Sequence, residues 1–256
     1  MKFLIITDLE GVAGTDNFAQ TRTTDIAMKG PSMKQLARET NACVEGLRTV
    51  YPDAVIDVLD GHGTGGLLPE DLIDCHYHRN VIQLFQQLGS YRALLFVGQH
   101  AMAGTINAPL NHTFNSRTVL YYRLNGVFIG EFGAIALKAG NEAVPTIFLA
   151  GDDKAALEAQ MFVPEIVTAV TKFGTGLESA KHLDSQEACR RIKEAAVVAG
   201  RSIGAIPPFN AIQPPYQFEA RHYTPLSEEL KSRPHVTIVD ERTYRIETDN
   251  INDLPF

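Results

Sequence analysis

Two periods of apolar and polar residues take turns along the chain. Phe3-Leu4-Ile5-Ile6-Thr7 is an apolar run ending in Asp8-Leu9-Glu10-Gly11, the pattern of a doubly buried strand that delivers polar residues at its C-terminal end. Over residues 32–50, Leu36, Cys43, Val44 and Leu47 make an apolar stripe at helical spacing. Residues 54–60 and 92–97 repeat the strand pattern and end in Gly61-His62-Gly63 and Gly98-Gln99-His100. Residues 119–123 and 127–129 flank Asn125-Gly126, a dipeptide suited to a type I′ hairpin turn. Residues 131–141 read as a helix and 144–150 as a strand, and Asp152 or Asp153 is placed to cap a helix through 155–161.

Alternating strand and helix predicts an α/β fold with a mostly parallel sheet, flanking helices and a ligand site at the C-terminal strand ends. Beyond about Gly174 the texture changes. A helix at 185–199, the prolines Pro207-Pro208 and Pro214-Pro215, and strand-like runs at 217–221 and 235–247 predict a smaller α+β portion. The expected division is a metal-binding α/β unit over 1–160 and a smaller portion over 161–256.

Composition narrows the classes of function. With 45% hydrophobic and 21% charged residues in 256, the chain reads as globular rather than disordered or fibrous. A net charge of −7 disfavours non-specific binding to nucleic acid. The first ten residues are too short and too acidic for a secretory core, and no apolar run approaches the ~20 residues that span a bilayer. Cys43, Cys75 and Cys189 are odd in number and form no CxxC pair, which fits reduced thiols in the cytoplasm. Any metal is therefore expected on His and carboxylate ligands.

Three strand ends deliver such ligands: Asp8 with Glu10, His62, and His100. Asp8 and Glu10 are two apart and share a face if the strand persists, and hard oxygen donors on one face suit a divalent cation. Glu131 is the only acidic residue between Asp74 and itself, a stretch that carries Arg79, Arg92, Arg117 and Arg123. Taken singly, each candidate has an ordinary explanation: a solvated strand end, a loop histidine, or an acid stabilising a helix N-terminus. Their arrival at one sheet edge is what a metal site explains.

Other motifs carry less. Gly61, Gly63 and Gly66 spell GxGxxG after a strand, but Pro69, Glu70 and Asp71 follow where a helix is required, and no acid lies about 20 residues on to hold a ribose. Cys75, His76 and His78 form a second ligand group without a partner pair at zinc spacing. His182, His222 and His235 read as surface or packing residues.

The ordered string Asp8-Leu9-Glu10-Gly11, Asp60-Gly61-His62, Gly98-Gln99-His100-Ala101, Asn111-His112 and Gly130-Glu131-Phe132-Gly133, with Ala150-Gly151-Asp152-Asp153 beyond it, resembles the D-aminopeptidase family of dinuclear zinc metallopeptidases. The resemblance covers roughly the first 160 residues; the last hundred match in general character only. It implies two zinc ions per chain bridged by Asp8, with Glu10 and His62 completing one site and His100 and Glu131 the other. It further implies that His112 takes part in catalysis, that the substrate is a short peptide or amide with an N-terminal D-residue, and that the chain forms a ring-like homo-oligomer. Gly63-Thr64-Gly65-Gly66 departs from the family's more polar pattern beside the histidine.

His112 has no strand directly before it, so it is expected to reach the site from a loop and to move protons rather than anchor metal. Two readings compete with the aminopeptidase. A different dinuclear hydrolase, an amidase or phosphoesterase, would use the same ligands, because such a centre does not itself choose the electrophile. A non-catalytic assembly protein would use them for a structural ion, but structural zinc often recruits thiolate and none of the five candidate ligands is Cys.

Overall fold

The computed structural model describes residues 1–256. Its elements run β1 (Lys2–Thr7), α1 (Ile26–Val50), β2 (Val55–Asp60), β3 (His76–His78), α2 (Val81–Phe85), β4 (Ala93–Gln99), β5 (Val119–Leu124), β6 (Val127–Phe128), α3 (Glu131–Asn141), β7 (Thr146–Asp152) and α4 (Asp153–Phe162). They continue with β8 (Val167–Gly176), β9 (Ser179–His182), α5 (Ser185–Ser202), β10 (Tyr216–His222), α6 (Glu228–Lys231), β11 (Val236–Asp240) and β12 (Thr243–Thr248).

Seven strands form one sheet in the order β3-β2-β1-β4-β7-β8-β9, and β10 to β12 join β5 and β6 in a second, ordered β11-β12-β10-β5-β6. The first is parallel from β3 to β8, with β9 turning back antiparallel; the second is antiparallel throughout. The expected parallel sheet with flanking helices is what the chain builds. From β1 the chain winds outward through β2 and β3, then returns to place β4 on the other side of β1. The crevice between the ends of β1 and β4 is therefore the switch point, where ligands bind in open α/β sheets.

The two strand ends lie very close together. Asp8 donates its amide to the Val97 carbonyl at 2.9 Å and Gly11 to that of Gly98 at 2.7 Å. A Cβ on Gly98, whose φ is +78°, would meet the Asp8 carbonyl oxygen at 2.0 Å, and one on Gly11 would meet that of Gln99 at 2.1 Å. Only glycine permits this approach, and it sets the carboxylates of the β1 end beside the histidine of the β4 end.

The helices α1 and α5 pack together over one face, and α3 and α4 over the other. One continuous apolar core includes Phe96 and Phe148 of the first sheet and Phe218 and Tyr244 of the second. Neither sheet respects residue 160: β8 and β9 complete the first and β5 and β6 belong to the second, so a cut there parts strands of both.

Most predicted elements are present with shifted ends. The helix predicted over 32–50 begins at Ile26, because Asp25 caps it through a 2.9 Å bond from the Ala27 amide and the chain runs helically through Gly30-Pro31. The hairpin turn has Asn125 at φ 48° and Gly126 at φ 86°, as a type I′ turn needs. Asp152 is the cap of α4, accepting from Lys154 and Ala155. The run at 235–247 is two strands, β11 and β12.

Candidate metal centre

Asp8 and Glu10 follow β1, His62 follows β2, His100 follows β4, and Glu131 opens α3, so each site residue is set by a strand or helix end. His112 comes from the loop between β4 and β5. There its amide bonds the Ala101 carbonyl at 3.3 Å, Gly104 donates to Asn111 Oδ1 at 2.9 Å, and Ala103 donates to Thr113 Oγ1 at 3.2 Å.

All six candidates meet. Asp8 turns one oxygen to each side: Oδ1 is 3.1 Å from His62 Nδ1 and Oδ2 is 3.1 Å from His100 Nε2. Glu10 Oε2 is 3.1 Å from His62 Nδ1, and Glu131 Oε1 is 3.4 Å from His100 Nε2 and 3.7 Å from His112 Nε2. Two triads result, Asp8–Glu10–His62 and His100–His112–Glu131, each with its donor atoms within 4.8 Å of one another. The His100 and His112 rings stack at 3.9 Å and 16°.

The outward nitrogen of every imidazole is tied to the main chain. His62 Nε2 meets the Thr21 carbonyl at 3.0 Å, His100 Nδ1 that of Ala101 at 2.9 Å, and His112 Nδ1 that of Leu110 at 2.9 Å. A carbonyl only accepts, so the proton of each neutral ring sits on that outer nitrogen and the lone pair of the inner one faces carboxylate oxygens. Buried lone pairs aimed at anions demand positive charge between them. Glu10 Oε2 and His100 Nε2 are in addition buried without a hydrogen-bond partner. This is the outer-shell pattern that fixes metal-ligating histidines, and the donor set fits divalent cations.

The titration behaviour reflects the same demand. Burial lowers an imidazole's pKa, but at His62 the charges of Glu10 and Asp8 outweigh it and lift the group to about 10. At His100 burial is likewise outweighed by Glu131 and Asp8, which raise it well above its ordinary value. Burial would raise the Asp8 carboxyl, yet the His100 and His62 imidazoles beside it hold it well below the carboxylate range. His112 goes the other way, lowered by burial and by its neighbour His100.

A shell of buried residues holds the floor, and of these only Asp152 stood out in the sequence, as a helix cap. Asp152 Oδ2 accepts from the Ala101 amide at 3.2 Å and Glu158 Oε2 from that of Met102 at 2.6 Å, pinning the backbone just past His100. The Lys172 ammonium, fully buried, bonds the carbonyls of Glu10 and Thr15. Phe114 donates its amide to Glu131 Oε1 at 2.7 Å. These contacts join residues far apart in sequence, so no local spacing announces them.

Of the remaining motifs, the glycine-rich loop lines the same pocket as the triads through Gly61, Gly63 and Thr64, and the others lie outside it. The Gly61–Gly66 loop wraps a carboxylate of its own, since Gly66 and Leu67 donate their amides to Asp60. His76 and His78 face Asp57 at 3.3 and 3.2 Å from the edge strand β3, outside both triads. His182 Nδ1 accepts from the Gly14 amide at 2.9 Å and its Nε2 lies 3.3 Å from Asp16.

Fold and site together define an α/β protein with a carboxylate–imidazole centre, suited to divalent cations, at the switch point of its sheet. The D-aminopeptidase family model matches residues 1–255, and the chain belongs to that family. The D-aminopeptidase of Bacillus subtilis (strain 168) is 34% identical over 110 residues, a match spanning 43% of this chain and 39% of that relative's length. Among solved structures, the "Zn-dependent D-aminopeptidase DppA from Bacillus subtilis, a self-compartmentalizing protease" superposes with a TM-score of 0.87 at 22% identity, covering 98% of this chain and 93% of the other. That likeness establishes the fold.

Proposed function

We propose that this chain is a zinc-dependent aminopeptidase that releases N-terminal D-amino acids from short peptides. The observation that carries the reading is the set of three imidazoles, each tied outward to a main-chain carbonyl and aimed inward at Asp8, Glu10 or Glu131. Family membership supports the choice of an amide over a phosphate ester. Two ions would be held, one by Asp8, Glu10 and His62 and one by Asp8, His100 and Glu131, with the two oxygens of Asp8 shared between them. When bound, such a pair polarises a scissile carbonyl and acidifies an attacking water.

The chain's own residues do the rest. Asp8, Glu10 and Glu131 line the floor of a cavity of about 370 Å³, and their three negative charges would be offset by the two divalent ions they hold. His112 lines the same cavity, and burial and His100 lower its pKa, so near pH 7 it is neutral with Nε2 free to accept a proton and return it to the leaving amine. Its place beside His100 and Glu131 favours one alternative role, that of a further metal ligand. Metal content of His112→Ala separates the two: both ions retained with hydrolysis impaired assigns proton transfer, and loss of an ion assigns ligation.

No helix is long and apolar enough to cross a membrane. The three cysteines are free, which supports a reducing, cytoplasmic setting. The self-compartmentalizing relative supports a closed homo-oligomer. The test of the function is a pair of matched D- and L-alanyl peptides assayed with and without chelator. Cleavage of the D-peptide that stops on chelation and returns with zinc supports it. Cleavage restricted to L-peptides or phosphate esters overturns it.

A further inference from the structure

Two charges at the mouth of the site have no task in this scheme. The cavity over the carboxylate floor is bordered by Arg22, from the segment between β1 and α1, and by Arg117, just before β5. The Arg22 guanidinium lies over the Phe18 ring, with Cζ 3.3 Å from its centroid, and donates Nε to Ser116 Oγ and Nη2 to the Ser116 carbonyl, both at 2.9 Å. Its head is thereby fixed while Nη1 makes no bond to the protein. Arg117 is exposed, and its side chain makes no hydrogen bond or ion pair. The acids nearest Arg22 in effect, Glu10 and Glu178, do not pair with it, whereas Arg117 repels it. Two cations that border one cavity and repel each other, one of them fixed, are relieved by an anionic ligand.

We propose that Arg22 and Arg117 bind the free C-terminal carboxylate of the substrate, so that the enzyme selects short, unblocked peptides by length as well as by their first residue. The proposal rests on the hydrolase reading and adds the other end of the substrate to it. Phe18 lies between His112 and Arg22: its ring is 6.5 Å from that of His112 and 3.3 Å from the Arg22 guanidinium carbon, so at most about 10 Å separates the His112 ring from the cation. One or two residues beyond the scissile carbonyl, at about 3.3–3.6 Å each, plus a hydrogen bond of about 3 Å, cover that span. A planar guanidinium with a free edge is suited to carboxylate, where a flexible lysine would not be pre-set.

The experiment compares D-alanyl-D-alanine with D-alanyl-D-alaninamide, which differ only in the terminal charge. With the zinc-loaded protein, kcat/KM should favour the free acid by about 10-fold or more, through KM, the effect expected for charge-assisted hydrogen bonds at a half-exposed site. Arg22→Gln and Arg117→Gln should each pull the acid-to-amide ratio down several-fold, the double variant should bring it near one, and Arg22→Lys should fall between. Arg117→Gln touches an exposed side chain without internal bonds, so its result is free of folding effects. The preference should also fade in peptides longer than three residues. Calorimetric binding of the reduced-amide isostere of D-alanyl-D-alanine, as free acid and as carboxamide, reads the same ratio without turnover. A wild-type ratio near one, or a ratio unmoved by both glutamine variants, overturns the carboxylate assignment. If neither peptide is cleaved the hydrolase reading fails, and the calorimetric ratio still decides whether the arginines read the carboxylate.

Discussion

In the seven-stranded sheet, β4 and β7 bury all seven of their residues, whereas in the five-stranded sheet β11 leaves four of its five exposed. The buried glutamates of the two regions show what that difference does. Glu39, on α1 against the parallel sheet, bonds the Ala13 amide and Gln35 but no cation, and burial raises it to about 7. Glu219, on β10, would also be raised by burial, but Arg245, Tyr121 and Arg123 bring it below its ordinary value. A dry sheet accepts a polar group only where a partner meets it, chiefly at strand ends, so ionisable residues there stand out. A wet sheet carries charges along its length, and one more says little.

The largest effect that sharpens this contrast belongs to Asp8. Asp8→Ala should remove both metal ions and take hydrolysis to the detection limit, while Glu219→Ala should leave metal content at the wild-type level, both read by elemental analysis of dialysed protein. Full metal occupancy in Asp8→Ala would break the assignment of a shared carboxylate. Next comes His112→Ala, expected to slow turnover by roughly 10² to 10⁴ with both ions bound, the usual range for loss of an acid/base group. An unchanged rate would return His112 to a purely structural role.

Stability should divide the same way. Phe96 of β4 is fully buried and packs on Phe132 with ring centroids 5.1 Å apart, so Phe96→Ala should cost about 3–5 kcal/mol in denaturant unfolding. Val239 of β11 is 47% exposed, and Val239→Ala should stay within about 0.5 kcal/mol. Comparable losses at the two positions would mean that the second sheet is covered in solution.

The smallest effect is one of sign. Glu39, with its pKa raised to about 7, favours the protonated folded state: its stabilisation is full below the unfolded carboxyl value and is lost as pH rises from about 4.5 through 7. Glu39→Gln should flatten that decline. Glu219, with its pKa depressed, stabilises the fold above the unfolded value and loses that contribution as pH falls into the acid range, so Glu219→Gln should cost stability near neutrality and little in acid. Unfolding midpoints taken across pH 3 to 8 check both, and slopes of equal sign would contradict the contrast.

The same physics explains what could be read from the sequence. Asp8, Glu10, His62 and His100 were legible because apolar strands deliver them at strand ends, and Glu131 because the preceding stretch carries no other acid. His112 was found by resemblance, with no strand before it to place it. The carbonyls of Thr21, Ala101 and Leu110, and the supports Glu158 and Lys172, were not legible, since their partners lie far along the chain or are main-chain atoms common to every residue. Arg117 was visible as one of four arginines, but its approach to Arg22 depends on a loop that sequence period does not describe. In the fold, β8 and β9 went unread: β8 alternates burial over only part of its length, and β9 is four residues of an edge hairpin.

The most direct test of the account is a zinc titration of chelator-treated protein, following D-alanyl-D-alanine hydrolysis at each addition. The account predicts no hydrolysis without metal, a rise that levels off at two ions per chain, and discrimination against the L-alanyl peptide at the plateau. Hydrolysis that survives chelation, or two bound ions with neither peptide cleaved, would contradict it.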